Sequence, residues 1–264
     1  MKVALGQLAV SKDVQENLTA CLGLIEQATR AGAQLLVLPE GVLARNVADP
    51  ELVLKAAQPL DGDFVTRLCA ATRDTDLTVV FCIHTPASQG RVWNTLVVLR
   101  DGQVLAHYHK LHLYDAFSVK ESTYVQPGQD IPALIDVAGL KVGLMTCYDL
   151  RFPELARRLS IDGAQVLVAP SAWLKGPLKE HHWRVLTTAR ALENTAYMVA
   201  VGECGERNIG QSLVVDPLGV IVAQAAEAPA LLLVELDRER LAYARRILPV
   251  LDNRRFVAPQ LDTD

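Results

Sequence analysis

Aromatic residues, paired cysteines and long apolar runs are all scarce in this sequence. Phe, Trp and Tyr make up 5% of its 264 residues. The cysteines are five in number: Cys21, Cys69, Cys82, Cys147 and Cys204. An odd set with no closely spaced pair argues against a disulfide framework and favours a reducing cytoplasm. The apolar runs, such as LTVVFCI, are far shorter than the roughly 18–20 residues of a membrane-spanning helix, so no membrane association is expected.

Neither a basic stripe nor a linker is present. The formal net charge is −4 and the charges are interspersed, so nucleic acid is not an expected partner. Half of the residues are apolar, which is enough for a large core without metal or disulfides. No Pro/Gly/Ser-rich segment divides the chain. We therefore predict a single domain over residues 1–264, with about 250–264 as a tail or oligomer arm.

Short strand-like runs alternate with helical patterns, and the order of these patterns repeats. KVALGQL is matched later by KVGLMTCYDL, and AQLLVLPEGV by AQVLVAPSAW. LTVVFCIHT corresponds to AYMVAVGEC, and TLVVLRDGQVLAH to SLVVDPLGVIVAQ. Convergence on common α/β patterns is the alternative, but four matches in the same order favour duplication. The pattern predicts two α/β halves related by a pseudo-twofold repeat.

Each predicted half has helices on one face of its sheet, so the other face must be buried elsewhere. Packing the two uncovered faces against each other gives a four-layer α-β-β-α sandwich, with about 10 Å between the sheets. Ligand sites in open α/β sheets lie beyond the carboxyl ends of strands. Polar residues that directly follow strands are therefore the first candidates for a functional site.

Three reactive side chains directly follow apolar runs. Glu40 follows AQLLVLP, Lys110 follows GQVLAHYH and Cys147 follows KVGLMT. Such a cysteine is more often a packing residue, but Cys147 is followed by a polar cluster, YDLRFPE, that the other four cysteines lack. Glu40 could equally end a turn, and Lys110 could be solvated. If the three strand ends converge, they bring together a thiol, a carboxylate and an amine.

These groups are sufficient for nucleophilic attack on a carbonyl or nitrile carbon. A carboxylate can accept the thiol proton, and burial is expected to raise its basicity. The Lys110 ammonium and the backbone N–H of Tyr148 can stabilise the oxyanion that forms. Attack by Cys147 would give a covalent thioester, which water then hydrolyses.

Two other classes of function compete with this interpretation. His107, His109 and His112 cluster in sequence and could belong to a metal hydrolase. However, no HExxH motif is present and Lys110 lies between two of them, so no metal is expected. A non-enzymatic scaffold would require loss of the reactive groups, and all three are present.

The segments LPEGVL, HYHKLHLYD and MTCYDLRFPE resemble the three signature segments of the nitrilase superfamily of carbon–nitrogen hydrolases. The resemblance extends from about Val3 to Phe256. It implies the α-β-β-α sandwich, an oligomer built on dimers, and catalysis without a cofactor. It also implies that Glu40 is the general base, Lys110 the oxyanion-stabilising amine and Cys147 the nucleophile. A second glutamate that bonds within the site is implied at Glu121, although a surface position is the alternative for it.

The segment CYDLRFPE resembles the corresponding segment of the branch that contains ω-amidases and amidases of deaminated glutathione. This likeness implies hydrolysis of deaminated glutathione to 2-oxoglutarate and cysteinylglycine. An ω-amidase or an N-carbamoyl amino acid hydrolase remains an alternative. A carboxylate-bearing substrate needs cations, and Arg151 and Arg207 are the candidates. Arg151 could instead pair with Glu154 or Asp149, and Arg207 could be solvated.

Overall fold

Helices and strands alternate along the chain, and the computed structural model describes residues 1–46 and 48–262. The first half contains β1 (Lys2–Gln7), α1 (Val14–Arg30), β2 (Leu35–Val37), α2 (Leu52–Lys55), α3 (Asp63–Thr72), β3 (Thr78–Pro86), β4 (Val92–Arg100) and β5 (Gln103–His109). A connecting region contains β6 (Asp115–Ala116), β7 (Val119–Lys120) and β8 (Val125–Gln126). The second half contains β9 (Ile135–Val137), β10 (Leu140–Leu144), α4 (Pro153–Ile161), β11 (Val166–Ser171), α5 (Lys179–Leu192), β12 (Tyr197–Gly202), β13 (Leu213–Val215), β14 (Ile221–Gln224), β15 (Ala230–Glu235) and α6 (Arg238–Ile247).

Local sequence features account for the start of α1 and for the turn between β4 and β5. The Asp13 side chain caps α1 by accepting the N–H groups of Gln15 at 2.7 Å and Glu16 at 3.2 Å. Asp101 and Gly102 form the turn between β4 and β5, with φ of 47° and 73°. Two positive φ angles suit the right-handed twist of a hairpin. Such a turn fixes the register of β5 and thereby the position of the residue that follows it.

The two sheets repeat one pairing pattern. The first sheet has the order β15-β1-β2-β3-β4-β5, with β8 added beside β4, and the second has β9-β10-β11-β12-β13-β14. In each sheet three parallel strands lie in the middle and antiparallel strands flank them. The predicted pseudo-twofold repeat is therefore confirmed in the topology.

Alternate residues of the strands enter two different layers of the core. Val3, Leu5, Val80 and Cys82 belong to a cluster that also contains residues of the second sheet. Their sequence neighbours, such as Phe81, pack with α1 and α3 on the outer face. The helices α4 and α5 cover the outer face of the second sheet. This arrangement is the predicted four-layer α-β-β-α sandwich. No helix of the described residues is long and apolar enough to cross a membrane.

Candidate active site

Glu40 lies just beyond β2, where the chain leaves the first sheet. The turn is tight: Gly41 has a φ of 70°, and a Cβ at Gly41 would lie 2.6 Å from the Arg45 side chain. The Glu40 side chain is buried and accepts three hydrogen bonds. Oε1 accepts from Asn94 Nδ2 at 2.7 Å and Lys110 Nζ at 3.0 Å, and Oε2 accepts from the Ala172 N–H at 2.9 Å. These donors hold the carboxylate in one orientation.

Lys110 directly follows β5 and points its amine between two carboxylates. Its side chain is 2% exposed, and Nζ lies 3.0 Å from Glu40 Oε1 and 2.8 Å from Glu121 Oε2. Glu121 also accepts the Asn94 amide at 3.1 Å and the Tyr114 N–H at 2.6 Å. The surface position considered for Glu121 is therefore wrong. Its carboxylate is part of the same buried network as Glu40.

Cys147 begins a 3₁₀ turn, Cys147–Arg151, immediately after β10. Its φ is 42°, a left-handed value that a non-glycine residue adopts only under constraint from its surroundings. Asp149 supplies much of that constraint. Asp149 Oδ2 accepts the Thr146 N–H at 2.8 Å, and the Asp149 N–H donates to the Thr146 carbonyl at 3.0 Å. The turn presents the sulfur at the end of the strand.

Asp149 also ties this turn to the segment that carries Lys110. The Tyr108 hydroxyl donates to Asp149 Oδ2 at 2.9 Å, and His112 Nδ1 lies 2.7 Å from Asp149 Oδ1. Asp149 is fully buried, so each of these bonds lies away from solvent. The nucleophile and the amine are therefore held relative to each other by one carboxylate, although they come from different sheets.

The electrostatics of the site define its resting protonation state. Burial raises the pKa of Glu40, but the charges of Lys110 and Arg45, with hydrogen bonds from Lys110 and Cys147, lower it overall to about 2. Burial and the Glu40 charge raise the pKa of the Cys147 thiol. Burial lowers the pKa of Lys110, but the carboxylates of Glu121 and Glu40 raise it well above its usual value. The site therefore rests as thiol, carboxylate and ammonium.

This state corrects one expectation from the sequence. Burial alone was expected to raise the basicity of Glu40, but the two nearby cations reverse the direction of the pKa shift. A carboxylate that is already ionised and hydrogen-bonded to the thiol can take the thiol proton as sulfur attacks. The Lys110 ammonium can then stabilise negative charge on the attacked group.

These side chains open into a cavity of about 460 Å³. Tyr148 and Arg151 line it, with Tyr114, Trp173 and Lys179. The Arg151 guanidinium lies 4.8 Å from the centre of the Trp173 ring. Among the described residues it has no ion pair, so the alternative of a bond to Glu154 or Asp149 is wrong.

Arg207 is placed differently. It is exposed and lines a neighbouring depression with Glu203 and Asn208, while the cavity around Cys147 does not include it. Its backbone carbonyl accepts the N–H of Lys175 at 2.8 Å. The structure thus brings six of the seven predicted site residues together and leaves Arg207 outside.

Several site residues were missed by sequence reasoning. Asn94 lies inside the apolar strand β4, where a buried amide is unusual, and that contrast was its only signal. Arg45 lies five residues after Glu40, and its guanidinium is 3.4 Å from the carboxylate of Glu203, a contact that no local pattern indicates. Lys179 is the first residue of α5 and is buried. Nothing in its local sequence indicates that its side chain is buried.

The histidines considered as metal ligands have other surroundings. His109 Nδ1 lies 3.1 Å from Thr95 Oγ1, and its ring stacks on Trp93 at 4.7 Å. His112 stacks on Phe152 at 3.7 Å. Across residues 1–46 and 48–262, no three His, Cys, Asp or Glu side chains are grouped so as to hold a metal ion.

Known proteins resemble this chain over nearly its whole length. The family described as Carbon-nitrogen hydrolase matches residues 2–246. A deaminated glutathione amidase of Escherichia coli O157:H7 is 52% identical over 261 residues, covering 99% of this chain and all of the relative. Nit3 of Saccharomyces cerevisiae, a member of branch 10 of the nitrilase superfamily, has a TM-score of 0.86 at 30% identity, with 97% of each chain covered.

A further solved structure shows the chemistry of a related cysteine. It is a mutant amidase from Nesterenkonia sp. AN1 in which the acetamide moiety of fluoroacetamide is covalently added at the active site cysteine. It has a TM-score of 0.82 at 27% identity, covering 97% of this chain and 94% of that chain. With the family match and the relatives above, these similarities identify an amidase-type enzyme. The chain belongs to the carbon-nitrogen hydrolase family.

Proposed function

We propose that this enzyme hydrolyses deaminated glutathione through a thioester on Cys147. The observation that carries the proposal is the Glu40 carboxylate, which accepts a hydrogen bond from the Lys110 ammonium at 3.0 Å in the cavity that Cys147 also lines. Glu40 takes the thiol proton while sulfur attacks the amide carbonyl. Lys110 and the backbone N–H of Tyr148 stabilise the oxyanion, and Glu121 holds Lys110 in place.

Release of the amine and hydrolysis of the thioester use the same groups, with Glu40 first donating a proton and then accepting one. Glu40 gives its proton to the nitrogen as the C–N bond breaks, which releases the amine and leaves the acyl group on sulfur. Glu40 then removes a proton from water, which attacks the thioester carbonyl. The C–S bond breaks, the acid leaves and the thiol of Cys147 regains a proton.

The choice of substrate is supported by similarity and by charge. The bacterial relative at 52% identity is named for deaminated glutathione, which would yield 2-oxoglutarate and cysteinylglycine. Both ends of this substrate carry carboxylates. Arg151, which lines the cavity with an unpaired guanidinium, is proposed to bind one of them.

The proposal is tested by intact-protein mass spectrometry and by kinetics. Rapid quenching should reveal an acyl adduct on the wild-type enzyme that the Cys147→Ala variant lacks. We expect kcat/KM for deaminated glutathione to exceed that for 2-oxoglutaramate, succinamate and N-carbamoyl-β-alanine by at least about 10-fold, which corresponds to about 1.4 kcal/mol of transition-state binding. A higher kcat/KM for an ω-amide or for a carbamoyl compound would identify that compound class, in place of deaminated glutathione, as the substrate. No adduct and no turnover with any of them would contradict the mechanism.

We also propose a cytoplasmic homodimer or higher homo-oligomer with a single domain per chain, in which residues 250–264 act as a tail or arm. Exposed apolar side chains on α5 and α6 support an interface: Val185, Leu192, Tyr243 and Ile247. Phe256 and Val257 are 88% and 85% exposed and support an arm that contacts another subunit. All five cysteines are unpaired, in accord with a reducing compartment.

A further inference from the structure

Lys179 is a buried lysine without a carboxylate partner. Its residue is 5% exposed, and it lines the same cavity as Cys147. Nζ donates to the Tyr114 hydroxyl at 2.6 Å and lies 3.7 Å from the centre of the Phe117 ring. An ammonium removed from water normally has an anionic partner. In the described part of the chain, no carboxylate lies within salt-bridge distance of Lys179.

A second cation is packed against the same aromatic residues. The Arg151 guanidinium lies 5.8 Å from the Phe117 ring and leaves Nε and Nη2 buried without hydrogen-bond partners. Arg151 stacks on Trp173, whose indole N–H donates to the backbone carbonyl of Lys179 at 2.9 Å. Two cations that line the cavity are thus held beside each other by one aromatic cluster, and two buried donors of the guanidinium lack a partner.

The two other cations beside Glu40 each contact a carboxylate. Lys110 contacts Glu40 and Glu121, and Arg45 contacts Glu203 at 3.4 Å. Burial and the Arg151 charge lower the pKa of Lys179, as expected for two like charges without an anion between them. A bound anion would remove this repulsion and satisfy the free donors.

We propose that Lys179 and Arg151 together form a subsite for a carboxylate of the substrate, and that Lys179 determines the preference for anionic over neutral amides. This inference rests on the proposed amidase function and adds a residue to it. The carboxylate inserts on the cavity side of the Phe117 ring and accepts hydrogen bonds from the ammonium and the guanidinium. The acyl part or the leaving amine of the substrate could supply it.

The test compares matched amides in the wild type, Lys179→Met and a control, Lys175→Met. Lys175 is exposed, and its side chain donates only to the carbonyls of Gly205 and Glu206, outside the cavity. We expect Lys179→Met to lower kcat/KM for succinamate by about 10–100-fold, mainly through KM, the usual range for a lost charge-assisted bond. Butyramide, the neutral analogue of similar length, should be affected less than about 3-fold, and Lys175→Met should change neither.

A second comparison identifies which carboxylate is bound. If the acyl carboxylate occupies the subsite, Lys179→Met should affect succinamate and 2-oxoglutaramate strongly. If the carboxylate of the leaving group does, the variant should affect deaminated glutathione strongly and its glycine amide weakly, and both succinamate kinetics and the binding of 2-oxoglutarate should stay unchanged. An equal loss for all substrates, charged and neutral, would mean a structural role and would overturn the proposal.

A binding measurement separates this proposal from the proposed function. Calorimetric titration with 2-oxoglutarate needs no turnover, and its Kd should rise about 10-fold or more in Lys179→Met and stay unchanged in Lys175→Met. If the enzyme hydrolyses amides but Lys179→Met affects charged and neutral substrates alike, only the subsite proposal is contradicted. If 2-oxoglutarate binds in a Lys179-dependent way but no amide is hydrolysed, only the proposed catalysis is contradicted. If Lys179→Met does not fold, Lys179→Gln, which can still bond to Tyr114, serves in its place. An unchanged Kd, together with unchanged kinetics for both succinamate and deaminated glutathione in that variant, would contradict the subsite.

Discussion

The ionisation of Glu40 is determined by side chains from distant parts of the chain. Lys110 comes from the end of β5, and Asn94 from the middle of β4. Arg45 follows Glu40 by five residues and is itself held by Glu203, beyond β12. Asn94 orients the carboxylate, while the charges of Lys110 and Arg45 outweigh its burial, which alone would raise its pKa. The carboxylate proposed as the base is therefore ionised before substrate binds, because the folded chain places two cations near it.

The role of Arg45 can be tested with the variant Arg45→Met. The Arg45 charge lowers the pKa of Glu40, so its removal should raise that pKa by about one unit or more. The wild type should show no acid limb from Glu40 in kcat/KM above pH 5, because a pKa of about 2 lies far below. In Arg45→Met the acid limb should move up by about one pH unit or more, so the kcat/KM profiles are measured down to about pH 3. The exposed Arg73→Met serves as the control, and identical pH profiles for all three proteins would exclude this role.

The three reactive residues could be found from the sequence because each follows an apolar run that reads as a strand. The protonation state of Glu40 could not be predicted, because it depends on the charges of Lys110 and Arg45, and no local pattern shows that these lie beside Glu40. The same limit applies to Lys179 and Arg151. Their proximity depends on how α5 packs against the turn that follows β10, a contact between segments about 30 residues apart.

At the scale of elements, the long periodic segments were predictable and the short ones were not. The helix α1 and the β4–β5 hairpin have strong local signals, namely Asp13, Gly32 and the Asp101-Gly102 turn. The hairpin of β6 and β7 has two residues in each strand, too few for any periodicity. Yet this hairpin carries Phe117 at its tip and leads directly into Glu121, so it contributes to both the base network and the cation pair.

Gly128 positions the end of β5 through close backbone packing. Its N–H donates to the Lys110 carbonyl at 2.8 Å, and a Cβ at this position would lie 2.1 Å from the His109 carbonyl oxygen. Gly128→Ala must therefore displace the segment that carries Lys110. We expect a loss of about 1–3 kcal/mol in the free energy of unfolding, together with a lower kcat.

Urea unfolding measures the first effect and amide hydrolysis the second. Gly23→Ala is the matched control, because a Cβ at Gly23 in α1 meets nothing within 4 Å. Alanine at this half-buried helix position should stabilise the protein by about 0.5–1 kcal/mol and leave kcat unchanged. Equal free energies of unfolding for Gly128→Ala and Gly23→Ala would show that the backbone near Gly128 accommodates a Cβ without loss of stability.

For the whole molecule, the repeated topology explains why the site lies between the two sheets. Each half repeats the same strand order, so corresponding strand ends face each other across the sandwich. Glu40 and Lys110 come from the first half and Cys147 from the second. The repeat was visible in the sequence, but β15 was not predicted. It pairs with β1 over six residues, from Lys2–Glu235 to Gln7–Ala230, and thereby closes the first sheet with the end of the second half.

The buried histidine His84 links the site to the acid stability of the whole protein. It lines the catalytic cavity, and burial together with the Arg45 charge lowers its pKa to about 3. In the unfolded chain it would take up a proton below about pH 6.5, while in the folded protein it stays neutral until about pH 3. The unfolded state therefore binds more protons in this window, and stability falls as the pH drops from 6.5 toward 3.

Replacing His84 with glutamine should remove this part of the pH dependence. At pH 5 the contribution is about 2 kcal/mol, so His84→Gln should lose about that much less stability than the wild type between pH 7 and pH 5. Glu203, with a pKa raised to about 7 by burial, acts in the opposite direction, but it is present in both proteins and cancels in the comparison. Denaturant unfolding at both pH values gives the difference, and His181→Gln, at an exposed position, is the control. Parallel stability curves for His84→Gln and the wild type would mean that His84 gains its proton equally in both states, and the acid sensitivity would then have to originate in other groups.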